Sequence, residues 1–99
     1  MSQSLLRAAD AAVAVDLSHT TACFSVSALA DPGLLPRLLE PFAKRGLVPS
    51  ALYARQHGED VSVDIQVDGL GQEQAAMIGR GMRQIFGVDV VLVSQRVSA

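Results

Sequence analysis

The run Val61-Ser62-Val63-Asp64-Ile65-Gln66-Val67-Asp68 decides the fold. Its odd positions are aliphatic and its even positions polar. That period of two sends one set of side chains into a core and the other into water. Turn-forming clusters bound it on both sides, His57-Gly58-Glu59-Asp60 before and Asp68-Gly69-Leu70-Gly71 after. A second extended stretch, Val48 to Gln56 with Leu52 and Tyr53, precedes the first of these turns, so the two strands are neighbours.

Upstream of the pair, Asp31-Pro32-Gly33 opens a helix. Leu34, Leu35, Leu38, Leu39 and Phe42 make one apolar stripe, and Arg37, Glu40, Lys44 and Arg45 fall off it. Asp31 is the expected cap, and Pro32 and Pro36 sit where an early helix tolerates proline. Pro41 lies deeper and predicts a kink or a weakened ladder. Gly46 is placed to end the helix. Before the turn, Thr21 to Leu29 is rich in β-branched and aromatic residues; Phe24, Val26 and Ala28 alternate with Cys23, Ser25 and Ser27, the pattern of a strand.

Downstream, Ala75, Ile78, Met82, Ile85 and Phe86 mark a second helix over Gln72 to Phe86. Gly79 and Gly81 each cost about 1 kcal/mol against alanine in a helix interior. Gly79 lies on the buried stripe, which points to a close helix–sheet approach. Gly87 closes the helix, and Val88 to Val97 is the last strand.

The order β-α-β-β-α-β predicts an α+β fold. Two right-handed crossovers of this kind make a ferredoxin-like βαββαβ sandwich, with a four-stranded antiparallel sheet and both helices on one face. The uncovered face and edges favour pairing with another copy, a homodimer. Residues 20–99 form this domain. Residues 1–19, with Ala8, Ala9, Ala11, Ala12 and Ala14, read as a loosely ordered leader.

Composition narrows the function. The 99 residues are 49% apolar and 18% charged, enough for one packed core and too few for two. The longest apolar runs, Ala11 to Val15 and Val90 to Val93, are far short of the ~20 residues of a membrane span. The first residues lack the pattern of a secretory signal, so the expectation is a cytoplasmic domain with no membrane partner. Eight basic against ten acidic residues, net −2, argue against nucleic acid. So does the aromatic content: an RNA-binding sheet stacks bases on aromatics of its central strands, and of the four here, Phe24, Phe42, Tyr53 and Phe86, two fall on helix stripes. Cys23, the single cysteine, excludes an internal disulfide and reads as a buried inert thiol.

Few residues carry chemistry. Asp60, Asp64 and Asp68 recur every four positions, about 13 Å apart along a strand, so they cannot share one metal and read as a solvated face. His19 and His57 have no second ligand at metal-binding spacing. No catalytic constellation, metal site or cofactor is expected. What remains is the Asp31-Pro32-Gly33 turn. Glycine lets a ligand approach the backbone, and the N–H groups of Gly33, Leu34 and Leu35 at the positive helix end suit a carboxylate. The plain alternative, favoured by local chemistry alone, is a tight strand-to-helix connection with water on those amides.

From Thr21 to Val97 the chain resembles an ACT domain, the small amino-acid-sensing module. Phe42-Ala43-Lys44-Arg45-Gly46 before a strand resembles the phenylalanine-x-x-arginine-glycine signature of acetolactate synthase regulatory (small) subunits. Ile85-Phe86-Gly87-Val88-Asp89-Val90 resembles the approach to their fourth strand, and the length resembles their short, single-domain form. The resemblance implies a non-enzymatic subunit of branched-chain amino acid biosynthesis. Such a subunit binds and activates a thiamine-diphosphate-dependent large subunit, with an amino-acid effector held at a dimer interface. Residue by residue it implies Asp31, Gly33, Leu34 and Leu35 for the carboxylate-facing turn, and Val48 and Pro49 for the facing strand.

Valine-sensitive relatives carry asparagine at the positions of Ala30 and Val48. Neither residue here has a polar side chain, and Pro49 has no N–H to give. An effector's charged groups left unpaired lose several kcal/mol, of order 1–3 each. The expectation is a weakened or altered effector site with partner binding retained. The competing reading is a free-standing amino-acid-binding module that serves another metabolic enzyme or a transcription regulator. An acylphosphatase-like enzyme on the same scaffold lacks its arginine–asparagine loop.

Overall fold

The computed structural model describes residues 19–97. The leader therefore lies outside the described residues, except for His19. The elements run β1 (Thr20–Leu29), α1 (Leu34–Lys44), β2 (Ala51–His57), β3 (Asp60–Asp68), α2 (Gln72–Met82) and β4 (Val88–Val97). The four strands form one antiparallel sheet in the order β2-β3-β1-β4. This is the βαββαβ arrangement that the sequence pattern predicts.

Alternation builds the core. Ala22, Phe24, Val26 and Ala28 of β1 and Val63, Ile65 and Val67 of β3 point to one face and are buried. Leu34, Leu38 and Phe42 of α1 and Ala75, Ile78 and Met82 of α2 close over them. Phe24 meets Phe42 edge-on, with ring centroids 5.3 Å apart and planes at 72°. The opposite face holds exposed Ser25, Ser27, Ser62 and Asp64, and no helix among the described residues covers it.

Three expectations need correction. The second strand starts at Ala51, so Val48 and Pro49 precede it. Pro49 cannot donate to a ladder, and pairing begins where the Ser50 N–H and hydroxyl both reach the Gln66 carbonyl, at 2.7 and 3.2 Å. The second helix ends at Met82, and Phe86 is 78% exposed instead of sealing the core. Past Met82 the chain turns through Ile85 N–H to the Met82 carbonyl and Val88 N–H to the Ile85 carbonyl, each at 3.1 Å. Gly87, at φ +87°, then redirects it into β4. The first helix runs on through Pro41, whose missing N–H leaves one bond out of the ladder, as expected, and Phe42, the next residue, is buried in the core. Cys23 is half-buried on the open face, not in the core.

The end of α1 explains the phenylalanine-x-x-arginine-glycine run. Arg45 Nη1 donates to the Pro41 carbonyl at 2.9 Å, Leu47 N–H to the Phe42 carbonyl at 2.8 Å, and Gly46 adopts φ +69°. Together they form a helix stop with a left-handed glycine.

The two glycines of α2 differ. A Cβ on Gly79 would lie 2.5 Å from Val93 Cγ2, whereas one on Gly81 meets nothing within 4 Å. Val93 is β-branched and half-buried, so it cannot swing away cheaply. Gly79→Ala is therefore expected to destabilise by about 1–3 kcal/mol through overpacking, despite alanine's better helix propensity. Gly81→Ala, exposed and unhindered, is expected to stabilise by about 0.5–1 kcal/mol. Urea unfolding of the two variants measures both; equal shifts of one sign would contradict the close packing of α2 on β4.

Candidate functional site

The turn from β1 into α1 is held by its own aspartate. Asp31 Oδ2 accepts the Gly33 N–H at 2.9 Å, and the Asp31 carbonyl accepts the Leu34 N–H at 3.0 Å. Arg37, one turn into the helix, donates to the same Oδ2 at 3.3 Å. The helix N-cap is Gly33, which has no side chain to give, so Asp31 acts ahead of the cap instead of at it. Two of the three amides expected to greet a ligand carboxylate are thus bonded within the turn. The chain's own carboxylate occupies part of the positive helix end.

Beside this turn lies a cleft of about 350 Å³, lined by Ala30, Asp31, Pro32, Leu34, Leu35, Gln56 and Val61. The structure brings Asp31, Leu34 and Leu35 to it, with Gly33 in the turn behind. Leu34 is largely a core residue, 2% exposed, while Leu35 is only half covered. Gln56 and Val61 were not expected here. Register explains them: β1 ends at Leu29 opposite Asp60, and His57 also lies opposite Asp60, so the end of β2 and the start of β3 flank the turn.

Val48 and Pro49 are not at this cleft. Ala51 is level with Gln66, and Gln66 with Cys23, six residues from Leu29 along β1. At about 3.3 Å per residue that is roughly 20 Å along the sheet. Within one chain the two halves of the expected site stand at opposite ends of the sheet. Val48 is 85% exposed there.

The other candidates resolve simply. Asp64 accepts from Ser25 Oγ at 2.9 Å and Asp68 from Thr21 Oγ1 at 2.8 Å, cross-strand bonds on the uncovered face. His57 is exposed next to the hairpin. Among the described residues, no three His, Cys, Asp or Glu side chains are grouped to hold a metal ion. A second cavity, about 510 Å³, opens between Ser27, Leu29, Asp60, Ser62 and Asp89. Nothing in the sequence pattern pointed to it; its lining includes Asp89, the residue left over where Ala28 lies opposite Val88 but Ser27 opposite Val90.

A family model described as an ACT-like domain matches residues 15–98. The chain belongs to the ACT-like domain family. Solved structures agree on the fold. The ACT domain from GTP pyrophosphokinase of Chlorobium tepidum superposes with a TM-score of 0.65 at 9% identity, covering 75% of this chain and 96% of that one. The C-terminal domain of the MgtC protein from Mycobacterium tuberculosis gives 0.66 at 8% identity, covering 84% and 94%. The regulatory subunit of aspartate kinase from Thermus thermophilus, in its ligand-free form, gives 0.58 at 17% identity, covering 82% of this chain and 52% of that one. No curated protein matches the chain in sequence. No helix among the described residues of this ACT-like chain is long and apolar enough to cross a membrane.

The Asp31 bonds make a ranked prediction. Asp31→Ala removes the acceptor of the Gly33 N–H and is expected to cost about 1 kcal/mol, as capping losses do. A Cβ on Gly33 meets only the Arg37 guanidinium, at 2.6 Å from Nη1. That is the movable end of a long side chain in an exposed ion pair worth about 0–1 kcal/mol. Gly33→Ala is therefore expected to cost less than Asp31→Ala in chemical denaturation; the reverse order would contradict this account of the turn.

Proposed function

We propose that this ACT-like chain is a non-catalytic regulatory module, and that the enzyme it serves is the thiamine-diphosphate-dependent large subunit of acetolactate synthase. Its cleft at the Asp31–Leu35 turn takes the effector, a small amino acid of the branched-chain type. The observation that carries this reading is the cleft itself, apolar on Leu34, Leu35 and Val61 and polar on Asp31 and Gln56, in a member of this family. An aliphatic amino acid needs that mixture of an apolar wall and a few polar groups. The link to acetolactate synthase rests on the sequence resemblance around Phe42 to Gly46 and Ile85 to Val90.

The separation of Val48 and Pro49 from the turn fits a site shared by two copies. β2 is an edge strand, and a two-fold axis at its midpoint, Ala54, sets Leu52 of one copy against Gln56 of the other. Val48 and Pro49 then lie along the hairpin of the second copy, beside its cleft. A homodimer completes on its interface what neither chain completes alone.

Ala30 and Val48 bring no hydrogen-bonding side chain to that interface. Effector affinity is accordingly low in the native chain. Changing both to asparagine is expected to raise valine affinity roughly tenfold, about 1.4 kcal/mol. Calorimetric titration of valine, leucine and isoleucine into both proteins checks the effector, and the rate of the large subunit with and without this chain checks the partner. A rate increase is the expected result. Heat only from an amino acid outside this set, with no effect on the large subunit, would favour a free-standing module for another enzyme or a transcription regulator.

A further inference from the structure

The two edges of the sheet are not equivalent, and the difference can be read from backbone bonds. Leu29 donates its N–H to the Gly87 carbonyl at 2.9 Å, and Ala30 donates its N–H to the Glu59 carbonyl at 2.8 Å. Odd residues of β1 therefore turn their backbone groups toward β4 and even residues toward β3. Val91 lies opposite Val26 and Val93 opposite Phe24, both even positions. The N–H and C=O groups of Val91 and Val93 consequently point outward, away from the sheet. The same parity carried through β3 leaves the backbone groups of Leu52, Ala54 and Gln56 pointing outward from β2.

Among the described residues, only one of these rows is blocked. Arg83, the first residue past α2, donates Nη2 to the Val91 carbonyl at 2.7 Å. An incoming strand needs that carbonyl as an acceptor. Two residues before Val91, the bulge at Asp89 breaks the register and disturbs the edge further. On β2 the nearby side-chain bonds run elsewhere, Ser50 Oγ to the Gln66 carbonyl and Gln56 Nε2 to the Gly58 carbonyl. The small Ala54 leaves the middle of that edge clear.

We infer that Arg83 closes the β4 edge, so that copies of this chain join through β2 alone and assembly stops at two. This rests on the pairing proposed above and adds to it what limits its size. Two open edges on one sheet allow β2–β2 and β4–β4 contacts to alternate without end, whereas one open edge used about a two-fold axis gives a closed pair. Arg83 suits the task because its guanidinium donates in a planar fork and keeps its charge at the edge. A bare carbonyl row has neither defence.

The experiment compares the native chain, Arg83→Ala and Arg83→Lys, measuring mass by light scattering over a wide concentration range and amide hydrogen exchange in parallel. The native chain is expected to hold at two copies, with the Leu52, Ala54 and Gln56 amides protected. Arg83→Ala is expected to rise beyond two copies with concentration, with new protection at Val91 and Val93, while Arg83→Lys, still a donor, stays at two. A folded Arg83→Ala that remains at two copies overturns the inference. A monomeric native chain overturns the pairing through β2 instead. In that case Arg83→Ala still reports on Arg83: it dimerises with Val91 and Val93 protected, or it stays monomeric and the inference falls as well. Growth in mass without protection at Val91 and Val93 is aggregation by another route and also counts against it.

Discussion

Everything in this fold depends on β1 being buried between two strands and under two helices. Its even side chains form the floor of the core, and Phe24 sets the height of α1 above the sheet through its edge-on contact with Phe42. Such a pair contributes about 0.5–1.5 kcal/mol beyond the area it buries. Its larger role is geometric. With Phe42 pinned, α1 starts a little over two turns earlier, at Leu34 just past the end of β1, and this places the Asp31 turn and its cleft. The helix stop at Arg45 and Gly46 then fixes how the chain leaves the core toward β2.

Much of this was legible because burial writes a period into sequence. The alternation of Val61 to Asp68 and the stripe from Leu34 to Phe42 both correspond to real elements, and strand count, helix count and their order follow. The failures occur where burial stops. Val48 looks like a strand residue by type, yet Pro49 behind it cannot join a ladder. Phe86 falls on the extrapolated stripe of α2, but the helix has already ended at Met82 and Arg83 has turned toward β4. Apolar type alone does not say whether anything stands opposite.

The candidate site was legible in part, for a related reason. The turn at Asp31 was visible as an Asp-Pro-Gly cluster. That Asp31 would bond the Gly33 amide, in place of a ligand, depends on a side-chain rotamer that no pattern encodes. Gln56 and Val61 reach the cleft through strand register, which is a long-range property. The phenylalanine-x-x-arginine-glycine run proves to be the terminator of α1, with Phe42 in the core and Arg45 on a helix carbonyl. Residues with that role speak for the fold. The surfaces left for docking are the edges and exposed faces of the sheet.

The central claim is that two chains meet along β2, the rim of the sheet that the described residues leave unguarded. An isotope-filtered NMR experiment on a mixture of labelled and unlabelled protein reports contacts between chains only. The account predicts cross-chain contacts centred on Ala54, with Leu52 of one chain near Gln56 of the other and Val48 near the partner's Leu35. Cross-chain contacts confined to β4 or to the open sheet face, or none at concentrations where the protein is not monomeric, would contradict it.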